Sequence, residues 1–196
     1  MRYWVSNVVL VKSDGSEVAI PNSYYLLEET NAVTVQDGAY TYPAKKREDV
    51  LLKDIPVAEY KQIKFAIGVD AAHNENLSLQ AGELSQLSGM TNVSWMWHTS
   101  YIFTTLQGTV TDGTTTKTFK AETGTNTNYK TVSLNLPQPV KISSAKSTTV
   151  ALTLDIEKVL TGIDLITTPT VGAAQSAVMA QLTTNFSGAL TVNSAK

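Results

Sequence analysis

The stretch "YKQIKFAIGVD", residues 60–70, carries the clearest fold signal in the chain. Apolar side chains fall on every second residue from Ile63 to Val69. A period of two predicts a β-strand with one buried face, because successive side chains on a strand point to opposite sides. The residues that follow, 70–92, predict a long loop with weak helical character.

Strand patterns and turn signals continue on both sides of this stretch. Asp14-Gly15 and Asp112-Gly113 are dipeptides typical of hairpin turns. Pro21 and Asn22 predict an interruption within a strand region, since proline cannot donate to a ladder. Alternating or β-branched stretches predict strands at residues 3–11, 17–29, 94–110, 108–122, 130–142, 148–160 and 188–193. Residues 30–49 are polar and irregular, and the charge run 45–49 at their end predicts a solvated loop.

One helix is predicted near the carboxyl end. Ala174, Val178, Leu182 and Phe186 fall close to a single helical face. Many short strands with one helix are typical of a mainly all-β protein. We therefore predict an antiparallel Greek-key β-sandwich with one short C-terminal helix, forming a single domain over residues 1–196.

The composition excludes several classes of protein. The chain has 15 Lys and Arg against 17 Asp and Glu, so no basic surface is available for nucleic acid. It has no cysteine, which excludes disulfides, thiolate metal sites and a cysteine nucleophile. No apolar run approaches the length of a membrane span. There is no signal peptide, and because strand character begins at residue 3 we expect a processed or truncated amino terminus.

The rare aromatic and imidazole side chains are the candidates for a site. Trp95 and Trp97 share one strand face, so His98 points to the other. Buried, the indoles would fill the core; exposed, they would form a stacking platform for sugars. His73 follows the strand at 60–70, as an exposed loop imidazole or as a metal ligand together with His98. No GxSxG, HExxH or phosphate-binding loop occurs, so we expect no enzyme activity.

The order of several motifs resembles the MbnP-like family, the methanobactin-associated copper-binding proteins and their relatives. The motifs, in chain order, are "YWVSNVVLVKSDG", "IKFAIGVDAAHN", "GELSQLSGM", "WMWHTSYIF" and "VALTLDIEKVL". The resemblance implies an exported β-sandwich in the periplasm or at the cell surface, where relatives are often lipid-anchored as lipoproteins. It also implies copper binding through histidines and a kynurenine, which a dihaem peroxidase-like partner makes from a tryptophan. By resemblance, Trp95 or Trp97 is the residue for that oxidation, and His73 and His98 are the candidate ligands.

The chain departs from the family pattern where copper ligands are expected. We expect the chain to lack the family's N-terminal strand, which carries a histidine, and the tail "SGALTVNSAK" has no histidine. We therefore expect an exported, non-enzymatic binding or structural domain with a degenerate copper site and no other cofactor. One alternative is a copper-binding protein that uses His73, His98 and an oxidised Trp95 or Trp97. Others are a glycan-binding or adhesion surface, with the tyrosines at positions 24, 25, 40 and 42, and an assembly module that takes a partner strand at its N-terminus.

Overall fold

The computed structural model describes residues 1–35, 38–92, 100–144 and 147–196, and strands account for 49% of the chain against 17% helix. The mainly all-β fold class and the short C-terminal helix are therefore confirmed. The helices are α1 (Ala71–Asn74), α2 (Ile156–Leu160) and α3 (Ser176–Gly188), and a 3-10 turn covers Gln86–Ser88. The strands are β1 (Arg2–Lys12), β2 (Glu17–Ala19), β3 (Tyr24–Thr30), β4 (Val33–Val35), β5 (Tyr40–Tyr42), β6 (Lys45–Arg47), β7 (Ala58–Ile67), β8 (Ile102–Asp112), β9 (Thr115–Gly124), β10 (Lys130–Ile142), β11 (Val150–Leu154), β12 (Thr170–Val171) and β13 (Leu190–Ala195).

Strand β1 is the centre of the main sheet, whose order is β10-β7-β1-β8-β9-β12. Its later residues pair with β7, while Arg2 and Tyr3 pair with β8. The other edge of β1 pairs with β3 and β2. The neighbours of β1 thus come from distant parts of the sequence. All these pairings are antiparallel, and the described exception is the short parallel contact between β12 and β9.

The two faces of β1 enter different cores, since successive side chains of a strand point in opposite directions. Val5 belongs to the large core, in which α3 packs Met179, Leu182 and Phe186 against the sheet. Trp4 is fully buried in the small core. Burying one large apolar side chain contributes about 1.5–3 kcal/mol before entropy is counted. The small core consists of Trp4, Tyr24, Leu26, Val69, Leu77, Leu84, Met90, Tyr101 and Phe103.

A backbone irregularity in β1 shapes the end of the sandwich near the small core. The pairing with β7 shifts register between Ser6 and Val9, and Asn7 lies between them with a φ of 51°. On the neighbouring strand, the N–H of Gly68 donates to the carbonyl of Trp4; Gly68 has a φ of 110°, and a Cβ there would sit 2.5 Å from the ring of Phe103. Left-handed backbone of this kind is open to glycine and is tolerated by asparagine.

Several local predictions are confirmed. The hairpins at Asp14-Gly15 and Asp112-Gly113 are present, and β2 and β3 are separated at Pro21 and Asn22 as predicted. Strands β10 and β13 lie within one or two residues of their predicted bounds.

Other local predictions are wrong for identifiable reasons. Residues 45–47 are not a loop but strand β6, which pairs with β3. The ammonium groups of Lys45 and Lys46 form ion pairs with Glu28 and Glu29 of that neighbouring strand. The strand predicted over residues 148–160 covers only Val150–Leu154, because Asp155 accepts a hydrogen bond from the backbone N–H of Lys158 and starts α2.

The strand at 60–70 also differs from its prediction. The strand β7 ends at Ile67, and its last residues are buried on both faces: Phe65 and Ile67 lie in the large core, and Ala66, which points the other way, is 2% exposed.

Candidate functional site

The site begins where β7 ends. Asp70 follows that strand, and its carboxylate accepts a hydrogen bond from the backbone N–H of His73, so it caps the single turn of α1. The same oxygen lies 3.1 Å from His73 Nδ1. The hydroxyl of Tyr24 lies 3.0 Å from that nitrogen and donates a short hydrogen bond to the other carboxylate oxygen of Asp70. Imidazole, phenol and carboxylate are therefore held together by mutual hydrogen bonds.

Three further polar groups extend this cluster. The Asn7 amide donates to Asp70 at 3.2 Å and to the Tyr129 hydroxyl at 2.7 Å. The Ser6 hydroxyl lies 3.3 Å from the same phenol oxygen. Asn7 has left-handed backbone at the irregularity in β1, and a bulge of this kind redirects the side chain of the residue that forms it. We call Ser6, Asn7, Tyr24, Asp70, His73 and Tyr129 the Asp70 network.

The electrostatics of the Asp70 network follow from its hydrogen bonds. Partial burial acts to raise the pKa of Asp70, but hydrogen bonds from Tyr24, His73 and Asn7 outweigh it and lower that pKa to about 2. Burial, followed by the hydrogen bond to the Asp70 carboxylate, raises the pKa of the Tyr24 phenol. At neutral pH the network is therefore built around an ionised carboxylate and a protonated phenol.

Helix α1 is tied to the chain on either side of residues 93–99. The Asn74 side chain accepts a hydrogen bond from the backbone N–H of Tyr101 at 2.8 Å. Thr91 and Tyr101 form an antiparallel bridge, and the backbone N–H of Asn92 donates to the carbonyl of Ser100 at 2.8 Å. We call residues 91, 92, 100 and 101 the stem. The stem therefore holds residues 92 and 100, which flank 93–99 in the sequence, close together beside α1.

The predicted site residues divide into two groups. His73 is half-buried and sits on α1, so the interpretation as an exposed loop imidazole is wrong. Trp95, Trp97 and His98 lie outside the described residues, and the burial of their strand faces stays a prediction. Asp70 and Tyr24, which orient His73, were not predicted from the sequence. The position of Asp70 directly before "AAHN" is an N-cap signal that could have pointed to it.

The family resemblance raises the question of whether these residues fit a copper ion. His73 has Nδ1 in the Asp70 network, and Nε2 is the ring nitrogen with no hydrogen bond to any described residue. A carboxylate that holds one ring nitrogen in this way is typical of a ligating histidine. Within the described ranges, however, no three His, Cys, Asp or Glu side chains converge on one point. Copper sites commonly combine several nitrogen or sulfur donors, and the described residues supply one imidazole.

The four tyrosines of the glycan interpretation are in different environments. Tyr24 is buried in the small core, and Tyr25 and Tyr42 are half-buried. Tyr40 is 39% exposed. A shared stacking surface of four tyrosines is therefore not formed.

In the described segments, no helix has both the length and the apolar character needed to cross a bilayer.

Comparison with known proteins gives one match. The family model described as MbnP matches residues 1–180 of the 196-residue chain, which confirms the resemblance seen in the sequence. No curated protein and no solved structure matches.

Proposed function

The chain belongs to the MbnP family, and on that premise we propose an exported, non-enzymatic binding domain in which the family's copper site is degenerate. The observation that carries the proposal is the structural use of His73. Its Nδ1 is hydrogen-bonded within the Asp70 network, which joins β1, β3, α1 and the residue before β10. An imidazole used in this way has a role in the fold that needs no metal.

Export is supported by family membership and by the surface chemistry. The chain has only 16% charged residues. A polar but weakly charged surface, rich in Thr and Ser, is common among strand-rich exported proteins. Cell fractionation of the source organism, with detection of this chain in the periplasmic or surface fraction, tests the localisation. Recovery with the cytoplasmic proteins alone would contradict it.

A second candidate function, copper binding, is favoured by a different observation. The hydrogen bond between Asn74 and Tyr101 ties the helix that carries His73 to the stem from which residues 93–99 extend. In this version His73 supplies Nε2, and His98 with an oxidised Trp95 or Trp97 supplies the remaining donors. A dihaem peroxidase-like partner would carry out that oxidation. Bound copper would add a redox-active ion at this end of the domain.

Copper titration of purified protein separates the two candidates. The wild type is loaded with Cu(I) and Cu(II), dialysed, and analysed for metal per chain, beside His73→Gln, His98→Ala and Tyr24→Phe. The degenerate site predicts no retained copper in any of the four. It also predicts lower thermal stability in His73→Gln and Tyr24→Phe, because each removes a hydrogen bond from the Asp70 network.

The opposite result is equally specific. One retained copper per chain, lost in His98→Ala while that variant stays fully folded, would replace the first candidate with the second. Mass spectrometry of the peptide that contains Trp95 and Trp97, from natively expressed protein, then shows whether either indole has become kynurenine.

A further inference from the structure

A cleft on another part of the surface has the chemistry of a ligand site. It lies between β5 and the 3-10 turn at Gln86–Ser88, with β3 and β6 beneath it, and its volume is about 520 Å³. Sites for small ligands commonly have volumes of about 300–1,000 Å³. No residue of the Asp70 network lines it.

The wall formed by β5 offers one free aromatic ring. Tyr40 is 39% exposed although it is a large, partly apolar side chain. Tyr42, by contrast, is fixed in place. Its hydroxyl donates to Glu28 at 2.5 Å, and the guanidinium of Arg2 lies 4.8 Å from its ring centroid. The cleft therefore has a rigid base at Tyr42 and an accessible ring at Tyr40.

Beside these rings lies a rigid pair of planar polar groups. Arg47 donates from Nε to the carbonyl of Asp49 at 3.1 Å and from Nη1 to the carbonyl of Leu26 at 3.2 Å. Nη1 also forms a short ion pair with Oε2 of Glu83, which in turn accepts from the backbone N–H of Leu26 at 3.0 Å. Among the described residues, Nη2 of Arg47 and Oε1 of Glu83 have no hydrogen-bond partner. Both side chains line the cleft, so it presents a fixed donor next to a fixed acceptor.

The charges of the cleft favour a neutral ligand. Arg47 is paired with Glu83, and Lys45 lies 3.3 Å from a carboxylate oxygen of Glu28. Glu28 also pairs with Arg2, which is buried and does not line the cleft. Each of the two cations that line the cleft therefore has a carboxylate partner, and neither is left unpaired for a phosphate. A sugar ring suits this combination, since one face carries C–H groups that stack on an aromatic ring and its edge carries hydroxyls that both donate and accept.

We propose that this cleft binds a neutral carbohydrate, stacked on Tyr40 and hydrogen-bonded at its hydroxyls to Arg47 and Glu83. The proposal is independent of copper and of the Asp70 network. It assigns to the domain a ligand class and a place where that ligand binds.

The test is an NMR titration of the 15N-labelled protein with four neutral trisaccharides: maltotriose, cellotriose, mannotriose and triacetylchitotriose. At least one is expected to give saturable shifts in residues 40–47 and 83–88. Tyr40→Ala is expected to weaken that binding about tenfold, and Tyr40→Phe to leave it within about twofold, because the stacking ring is kept. Leu51→Ala is the matched control, since Leu51 is 71% exposed and does not line the cleft.

Three results would overturn the proposal. The first is the absence of saturable shifts with all four sugars at millimolar concentration. The second is equal binding by the wild type and a folded Tyr40→Ala variant. The third is tighter binding of inorganic phosphate than of any trisaccharide at the same residues, which would identify an anion site instead.

Discussion

The buried ion pair between Arg2 and Glu28 allows a prediction with an internal comparison. Both residues are almost fully buried, at 4% and 3% exposure, and Arg2 Nε donates to Glu28 Oε2 at 2.9 Å. The two ions have unequal support from their surroundings. Glu28 also has the Tyr42 hydroxyl and Lys45 on its second oxygen, whereas Arg2 has one further hydrogen bond, to the carbonyl of Ser88 at 2.6 Å.

This asymmetry predicts which partner is costlier to remove. Glu28→Gln leaves the buried guanidinium without a counter-ion and should lower the free energy of unfolding by about 3–5 kcal/mol. Arg2→Met leaves the carboxylate with a cation and a hydroxyl donor, so its cost should be smaller, at about 2 kcal/mol.

Urea denaturation followed by circular dichroism at pH 7 measures both variants. Lys64→Met is the control, because the pair between Lys64 and Glu17 has side chains that are 32% and 53% exposed and should contribute less than about 1 kcal/mol. Two results would contradict the reasoning. One is a larger loss for Arg2→Met than for Glu28→Gln, and the other is a loss for Glu28→Gln no greater than that of the control.

Three further predictions, which use four variants, test other parts of the structure. Gly68→Ala should lower the free energy of unfolding by about 3–5 kcal/mol in urea denaturation. Alanine at this position would have to adopt left-handed backbone and would press its Cβ against the ring of Phe103. A change below about 1 kcal/mol would contradict this geometry. Thr105→Val should stabilise the fold by about 1 kcal/mol, because the buried Thr105 hydroxyl has no hydrogen-bond partner among the described residues. Thr104→Val should destabilise it by a similar amount, because it breaks a buried hydroxyl pair. Equal effects of the two variants in urea denaturation would refute the assignment. Asp70→Asn should be less stable than the wild type at neutral pH. Because the pKa of Asp70 is lowered in the folded state, the stabilisation by its carboxylate is present above about pH 4 and is lost toward pH 2. The melting temperatures of the two proteins should therefore converge as the pH falls through that interval.

The sequence was sufficient where structure follows from local pattern. Turn dipeptides located two hairpins, and alternation located β10 and β13. It was insufficient at Lys45–Arg47, because a run of charged residues predicts a solvated loop. The acidic residues of β3 that lie opposite this run are known only from the strand pairing. Ile156 is a different case. Alternation was extended past Asp155, although an aspartate followed by Glu157 is itself a signal for the start of a helix.

The candidate site was predictable only in part, because its hydrogen bonds join distant residues. His73 was identified as a candidate by its rarity, but Tyr24, which orients it, lies 49 residues earlier. No spacing rule joins those two positions, since they are brought together by the pairing of β3 and β7 with the same strand. Likewise, the left-handed Asn7 can be inferred only once the register shift in β1 is known.

The stem has a consequence for how this domain could be altered, by evolution or by engineering. Its backbone contacts join residues 91 and 92 to residues 100 and 101, and the Asn74 side chain accepts a further hydrogen bond from the backbone N–H of Tyr101. None of these contacts uses a side chain of the residues between them. We therefore expect the stem to persist when those seven residues are exchanged, so that different sequences at this position can be compared on one scaffold.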